Sequence, residues 1–107
     1  MKEIGQLTFD GKLLSIQVGR YSINRALAVE LVDAETGVPF ATVSENHLGL
    51  DLRENEFVAQ TRNWRVELST ALLASGKFEH TGRTHTFGPH STVEPIWRLV
   101  PDGEMVW

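Results

Sequence analysis

The stretch from Gly19 to Ser44, GRYSINRALAVELVDAETGVPFATVS, narrows the possible folds more than any other part of the chain. Leu27, Val29 and Leu31 alternate with Ala28, Glu30 and Val32. The turn-rich run Asp33-Ala34-Glu35-Thr36-Gly37 follows, and Val38, Phe40 and, one step out of phase, Val43 continue beyond it. Apolar spacing of period two on both sides of a Gly-containing turn is the pattern of a β-hairpin. A second hairpin precedes it, because Asp10-Gly11 suits a two-residue type I′ turn, whose central positions both need positive φ. Pairing across that turn sets Phe9 opposite Lys12, Leu7 opposite Leu14 and Gly5 opposite Ile16. Leu7, Phe9, Leu14, Ile16 and Val18 then share one face, as a one-sided core requires.

The segment Glu45–Glu56, ENHLGLDLRENE, breaks the alternation and reads as a loop or short irregular strand. A helix is expected over Arg62–Ser75, where Trp64, Leu68, Ala71, Leu72 and Ser75 recur at helical spacing and Val66 and Leu73 widen the stripe. Thr61 or Asn63 would cap its start, and Gly76 stands where a left-handed C-terminal cap belongs. Short extended pieces at Lys77–His80 and Thr84–Phe87 flank Thr81-Gly82-Arg83, and a last strand is expected over Thr92–Val100. Pro95 argues for an edge or a bulge there, because it cannot donate to a ladder. The expectation is a single α+β domain over residues 1–107, with a mostly antiparallel sheet of about five to six strands and one main helix on one face.

Several function classes are disfavoured by composition. With 41% hydrophobic and 22% charged residues the chain is of ordinary globular type rather than disordered. There is no cysteine, hence no disulfide or thiolate metal site. No apolar run approaches the ~20 residues of a membrane span, and MKEIGQLTFDG has no signal-peptide h-region, so a cytoplasmic protein is expected. The net charge of −4 falls in residues 1–60, which hold nine acids and five bases; residues 61–107 hold five of each. The seven arginines are scattered, with no basic stripe of the kind that reads phosphates, so direct nucleic-acid binding is disfavoured.

GRYSINRALAVELVDAETGVPFATVSEN, then NEFVAQTRNW, a helix ending ASGKFE, HTGRT and a closing aromatic strand form a series. Over about residues 17–100 it resembles a domain-of-unknown-function family of small proteins carried by phages, plasmids and integrative elements. Members of that family read GxYxxNGxLAIxLxDxxxGEPYATLTVN, then a strand, a helix ending near Gly, and T-G-R before a final strand. This chain departs from the pattern at Ile23-Asn24-Arg25-Ala26, where the family has Asn-Gly-Arg, and in the His-rich segment 80–90. The resemblance implies an α+β fold and a mobile-element origin in a bacterial host cell. It implies no activity and transfers no catalytic residue.

His80, His85 and His90 recur every five residues, and Glu79 or Glu94 could add a carboxylate if they converged on zinc; the plainer reading is histidines facing solvent on a hairpin. Thr81-Gly82-Arg83 could cradle an anion through backbone N–H groups. Asp51, Glu54 and Glu56 read as a solvated acidic loop rather than a catalytic pair. No Gly-x-Ser-x-Gly elbow exists, and no catalytic, metal or cofactor residue is assigned. Trp64 and Trp97 read as core, whereas Trp107, after Met105 and Val106, either folds back on the sheet or reaches a partner subunit. The leading expectation is a non-catalytic protein, monomer or homodimer, that binds a host protein or ribonucleoprotein assembly through Glu45, Asp51, Glu54, Glu56 and Trp107. An anti-CRISPR or other anti-defence inhibitor is its sharpest form. The alternative is a small ligand- or metal-binding protein or enzyme using Thr81–His90.

Overall fold

In the computed structural model, residues 1–100 are described, and they form eight strands, one turn of 3-10 helix and one α-helix. The first hairpin joins β1 (Lys2–Phe9) and β2 (Lys12–Arg20) through Asp10 and Gly11, whose φ angles of 51° and 74° are those the turn demands. The register is the expected one: Phe9 faces Lys12, Leu7 faces Leu14 and Gly5 faces Ile16, with an irregularity between Glu3 and Gly5. β2 continues into β3 (Leu27–Asp33), and β3 pairs with the short β4 (Pro39–Thr42). Asp33 builds the turn between them by accepting the N–H groups of Glu35 (2.8 Å) and Thr36 (3.1 Å) on its carboxylate, the local bonding that makes Asp a turn residue.

Val43, the residue out of phase in the sequence, is where the chain changes sheets. Its N–H still donates to Val29 on β3, and the next residue, Ser44, offers its hydroxyl to the Val29 N–H at 2.9 Å. β5 (Ser44–Glu45) then opens a second sheet with β6 (Glu56–Ala59), β7 (Phe78–Phe87) and β8 (Thr92–Leu99), in the order β5-β6-β8-β7. The architecture is thus two four-stranded antiparallel sheets, with more strand than the single five- to six-stranded sheet expected. β6 escapes detection because all four of its residues are buried, which erases the alternation that marks a half-exposed strand.

The helix is shorter than expected. α1 spans Val66–Ala74, preceded by the 3-10 turn Thr61–Asn63 and an extended Trp64. Neither Thr61 nor Asn63 caps it; the Thr61 hydroxyl bonds Glu94 and the Asn63 amide bonds Gln60. Trp64 leaves the helical path to set its ring 6.0 Å from that of Trp97, edge to face, beside Phe57 and Phe78. Leu68 and Leu72 enter the core and Leu73 packs at its margin, whereas Val66 is exposed. Gly76 ends the helix at φ 79°, as its position suggested. The core lies between the inner faces of the sheets: Leu14, Ile16, Val18, Val29 and Leu31 from one, Phe57, Phe78, Trp97 and Leu99 from the other.

Candidate functional site

The face of the second sheet turned away from the core carries a network of ionised side chains. Because Trp97 and Leu99 point inward, Glu94, Ile96 and Arg98 of β8 point outward, beside Glu56 and Val58 of β6, Glu79 and His85 of β7 and Glu45 of β5. Arg62, presented by the 3-10 turn, bridges two of these strands. Its guanidinium grips both oxygens of Glu45 (2.7 and 2.8 Å) and donates to Glu94 at 2.7 Å. Glu94 is 1% exposed, and the Thr61 hydroxyl occupies its other oxygen at 3.1 Å. The hydrogen bonds from Arg62 hold the Glu45 carboxyl below the ordinary carboxylate value, and Glu45 in turn raises the guanidinium.

Glu56 lies not in a water-facing loop but at the start of β6, 3% exposed. Burial alone would push its carboxyl up; the Arg83 guanidinium and the Arg53 N–H (2.8 Å) outweigh that and hold it below its ordinary value. On the exposed end of the same face Arg98 donates to Glu79. Of the expected partner-binding residues, then, Glu45 and Glu56 are engaged by arginines inside the fold, while Asp51 and Glu54 stand exposed on the loop 46–55. Trp107 lies outside the described residues.

The histidines of segment 80–90 part ways. His80 is exposed and accepts the Gly82 N–H on Nδ1 (2.8 Å), His90 is exposed in the β7–β8 turn, and His85 stacks on Phe87 at 5.5 Å. Thr81-Gly82-Arg83 is an irregularity inside one long strand rather than a separate turn. The neighbour of His85 is His47, from the loop 46–55, with ring centroids 4.7 Å apart and Phe87 4.3 Å from His47. His47 Nε2 is buried without a hydrogen-bond partner, 3.6 Å from a Glu45 oxygen and so beyond hydrogen-bond distance. No group of three or more His, Asp or Glu side chains suited to a metal ion occurs among the described residues. This constellation braces the loop 46–55 against the sheet.

A different arrangement lies where the turn 21–26 meets the loop 46–55. There a depression of about 370 Å³ is lined by Arg20, Arg25 and Arg53 together with Leu27, Leu52, Glu54 and Glu56. The outward face of the first sheet is unlike both. Glu3, Gln17, Glu30 and Thr42 lie in one row across its strands and Gln6, Ser15 and Val32 in the next, with Thr8 and Leu13 beyond. Those rows contain two acids and no lysine or arginine. The Ser15 hydroxyl (2.6 Å), followed by the Gln6 amide, holds the Glu3 carboxyl below its ordinary value. Compared with known protein families, with curated proteins and with solved structures, the chain matches none.

Proposed function

We propose that this chain is a non-catalytic interaction protein of phage or mobile-element origin that binds and inhibits a host protein assembly, acting in the cytoplasm of a bacterial host. An anti-CRISPR or related anti-defence inhibitor is the form we favour. The observation that carries the reading is the outward face of the first sheet, with Glu3 and Glu30 and no base in its rows, a surface complementary to a basic nucleic-acid groove. Engagement of Glu45, Glu56, Glu79 and Glu94 by arginines supports it from the other side, since a general acid or base needs a carboxyl free to exchange protons with a substrate. The resemblance to mobile-element proteins is what suggests the origin, and Arg25 is one of the positions where this chain departs from the pattern. The family pattern places glycine there, and the residue has φ 62°, in the left-handed region that favours glycine.

A plaque assay on bacteria with active nucleic-acid-guided immunity, with and without this chain expressed, tests the reading. Restored plaquing is expected, together with loss of nucleic-acid binding by the purified effector complex. The E3Q/E30Q variant should associate more slowly at low salt and protect phage less, because charge complementarity acts mainly on the association rate. Intact immunity and an effector that binds its nucleic acid normally would refute the proposal. Weakening by D51N/E54Q but not by E3Q/E30Q would move the surface to the loop 46–55.

A further inference from the structure

Four of the seven arginines have carboxylate partners: Arg62 with Glu45 and Glu94, Arg65 with Asp10, Arg83 with Glu56, and Arg98 with Glu79. The other three, Arg20, Arg25 and Arg53, have no carboxylate in ion-pair contact among the described residues, and all three line one depression between the turn 21–26 and the loop 46–55. Arg20 reaches only neutral acceptors, the Asn55 side chain at 3.3 Å and the Arg25 carbonyl at 3.5 Å, which orient its fork without cancelling its charge. Of the two acids at the cleft, Glu56 is hydrogen-bonded by Arg83 and the Arg53 N–H and also attracts the Arg53 guanidinium at longer range. Glu54 and a share of Glu56 therefore face three guanidiniums, and positive charge remains in excess.

The cleft is also built in advance. Asn24 and Asn46 exchange side-chain hydrogen bonds (3.0 and 3.3 Å), tying the turn that carries Arg25 to the loop that carries Arg53. The turn itself is closed by Tyr21 N–H to Ala26 O (2.9 Å) and Arg25 N–H to Tyr21 O (2.8 Å), and it holds Arg25 in the left-handed region. Three like charges gathered in one concavity of a protein with net charge −4 repel one another, and an anion removes that repulsion. Guanidinium forks match phosphate oxygens two at a time, and a dianion offsets the excess of positive charge better than a single carboxylate. Leu52, half-buried in the lining, provides apolar surface beside the charges, with the buried Leu27 behind it.

We propose that this cleft binds the phosphate monoester group of a small molecule whose apolar or ring portion rests on Leu52. A polynucleotide is disfavoured, because the unpaired arginines form one concave cluster rather than a track along the surface.

Titration of the ¹⁵N-labelled full chain with phenyl phosphate, followed by NMR, tests the proposal. Saturable shifts are expected at the backbone amides of Arg25, Arg53 and Asn55 and at the Nε–H of Arg20, Arg25 and Arg53. Benzoate and inorganic phosphate should bind more weakly, as should an oligothymidine with a 5′-hydroxyl end. The R25Q/R53Q variant should weaken phenyl phosphate by at least about tenfold while melting as the wild type does, since both side chains are exposed and unpaired. The R25K/R53K variant, which keeps the charge and loses the fork, should fall between. The proposal is overturned if phenyl phosphate gives no saturable shifts, if R25Q/R53Q binds it unchanged, or if any of the three comparison ligands binds as tightly.

Discussion

Replacing Arg62 with alanine should be among the most damaging single changes outside the apolar core. The side chain makes three charge-assisted bonds, two to Glu45 and one to Glu94, and Glu94 is 1% exposed. Removing one partner of a fully buried ion pair costs about 3–5 kcal/mol, because the remaining charge is stranded away from water. Two features moderate that here: Arg62 is itself 36% exposed, so water can follow its removal, and Glu94 keeps the Thr61 hydroxyl. A loss of roughly 2–4 kcal/mol remains, which for a domain of this size lowers the melting temperature by about 8–20 °C. Thermal melting and urea unfolding read it directly. The cause is isolated by adding E94Q to the R62A background, where loss of the stranded charge should recover most of the deficit. E45Q alone should cost only about 0.5–1 kcal/mol, since Glu45 is partly open to solvent. A melting temperature for R62A within a degree or two of the wild type, or no recovery from E94Q, would refute this account of the buried charge.

Three further outcomes follow from the same structure. L72A should cost about 2–5 kcal/mol by urea unfolding, because Leu72 is fully enclosed between α1 and the sheets. D51N/E54Q should leave the melting temperature nearly unchanged while E56Q lowers stability by roughly 1–3 kcal/mol, which separates the buried member of the acidic run from the exposed ones. Glu45 and Glu56 both sit below their ordinary value of 4.5 in the folded state, so the unfolded chain takes up protons first as the pH drops. Their contribution is complete above that value and is lost as the pH falls through the folded-state values, which unfolding free energies measured between pH 7 and pH 3 will show as a decline confined to the acid end.

The parts of this fold legible in the sequence are those where two local signals agree. The β1–β2 register follows from Asp10-Gly11 and from an alternation that puts Leu7, Leu14 and Ile16 on one side; each alone would leave a one-residue slip open. Where the signals disagree or vanish, the sequence is silent. Pro95 argues for an edge or a bulge and cannot choose between them. β8 lies between β6 and β7, so the edge is excluded, and Pro95 sits instead where β6 pairing has stopped at Val58 opposite Ile96 and where Thr84 ends the irregularity from His80. The helix starts four residues later than its periodicity suggests, because Trp64 gains more against Trp97 than it would in a first helical turn.

Site features are less legible than strands because they depend on charges brought together from afar. Glu56 stands in an acidic run and reads as solvated, but Arg83, 27 residues later, neutralises and buries it. His85 is visible as one of three regularly spaced histidines, yet its neighbour is His47, to which no local pattern connects it. The arginines make the same point in reverse. Along the chain all seven look scattered, and only the fold divides them into four in contact with a carboxylate and three without such a contact among the described residues. That the unpaired three share one cleft is a property of how the turn 21–26 meets the loop 46–55, held by the Asn24–Asn46 bonds. If those bonds fix the cleft, N46A should disperse Arg25 and Arg53 and weaken anion binding without removing a single charge. N46D, which keeps an oxygen for the Asn24 amide, should disperse them less. A cleft that binds phenyl phosphate equally in wild type and N46A would show that charge alone, and not the geometry of the two loops, attracts the anion.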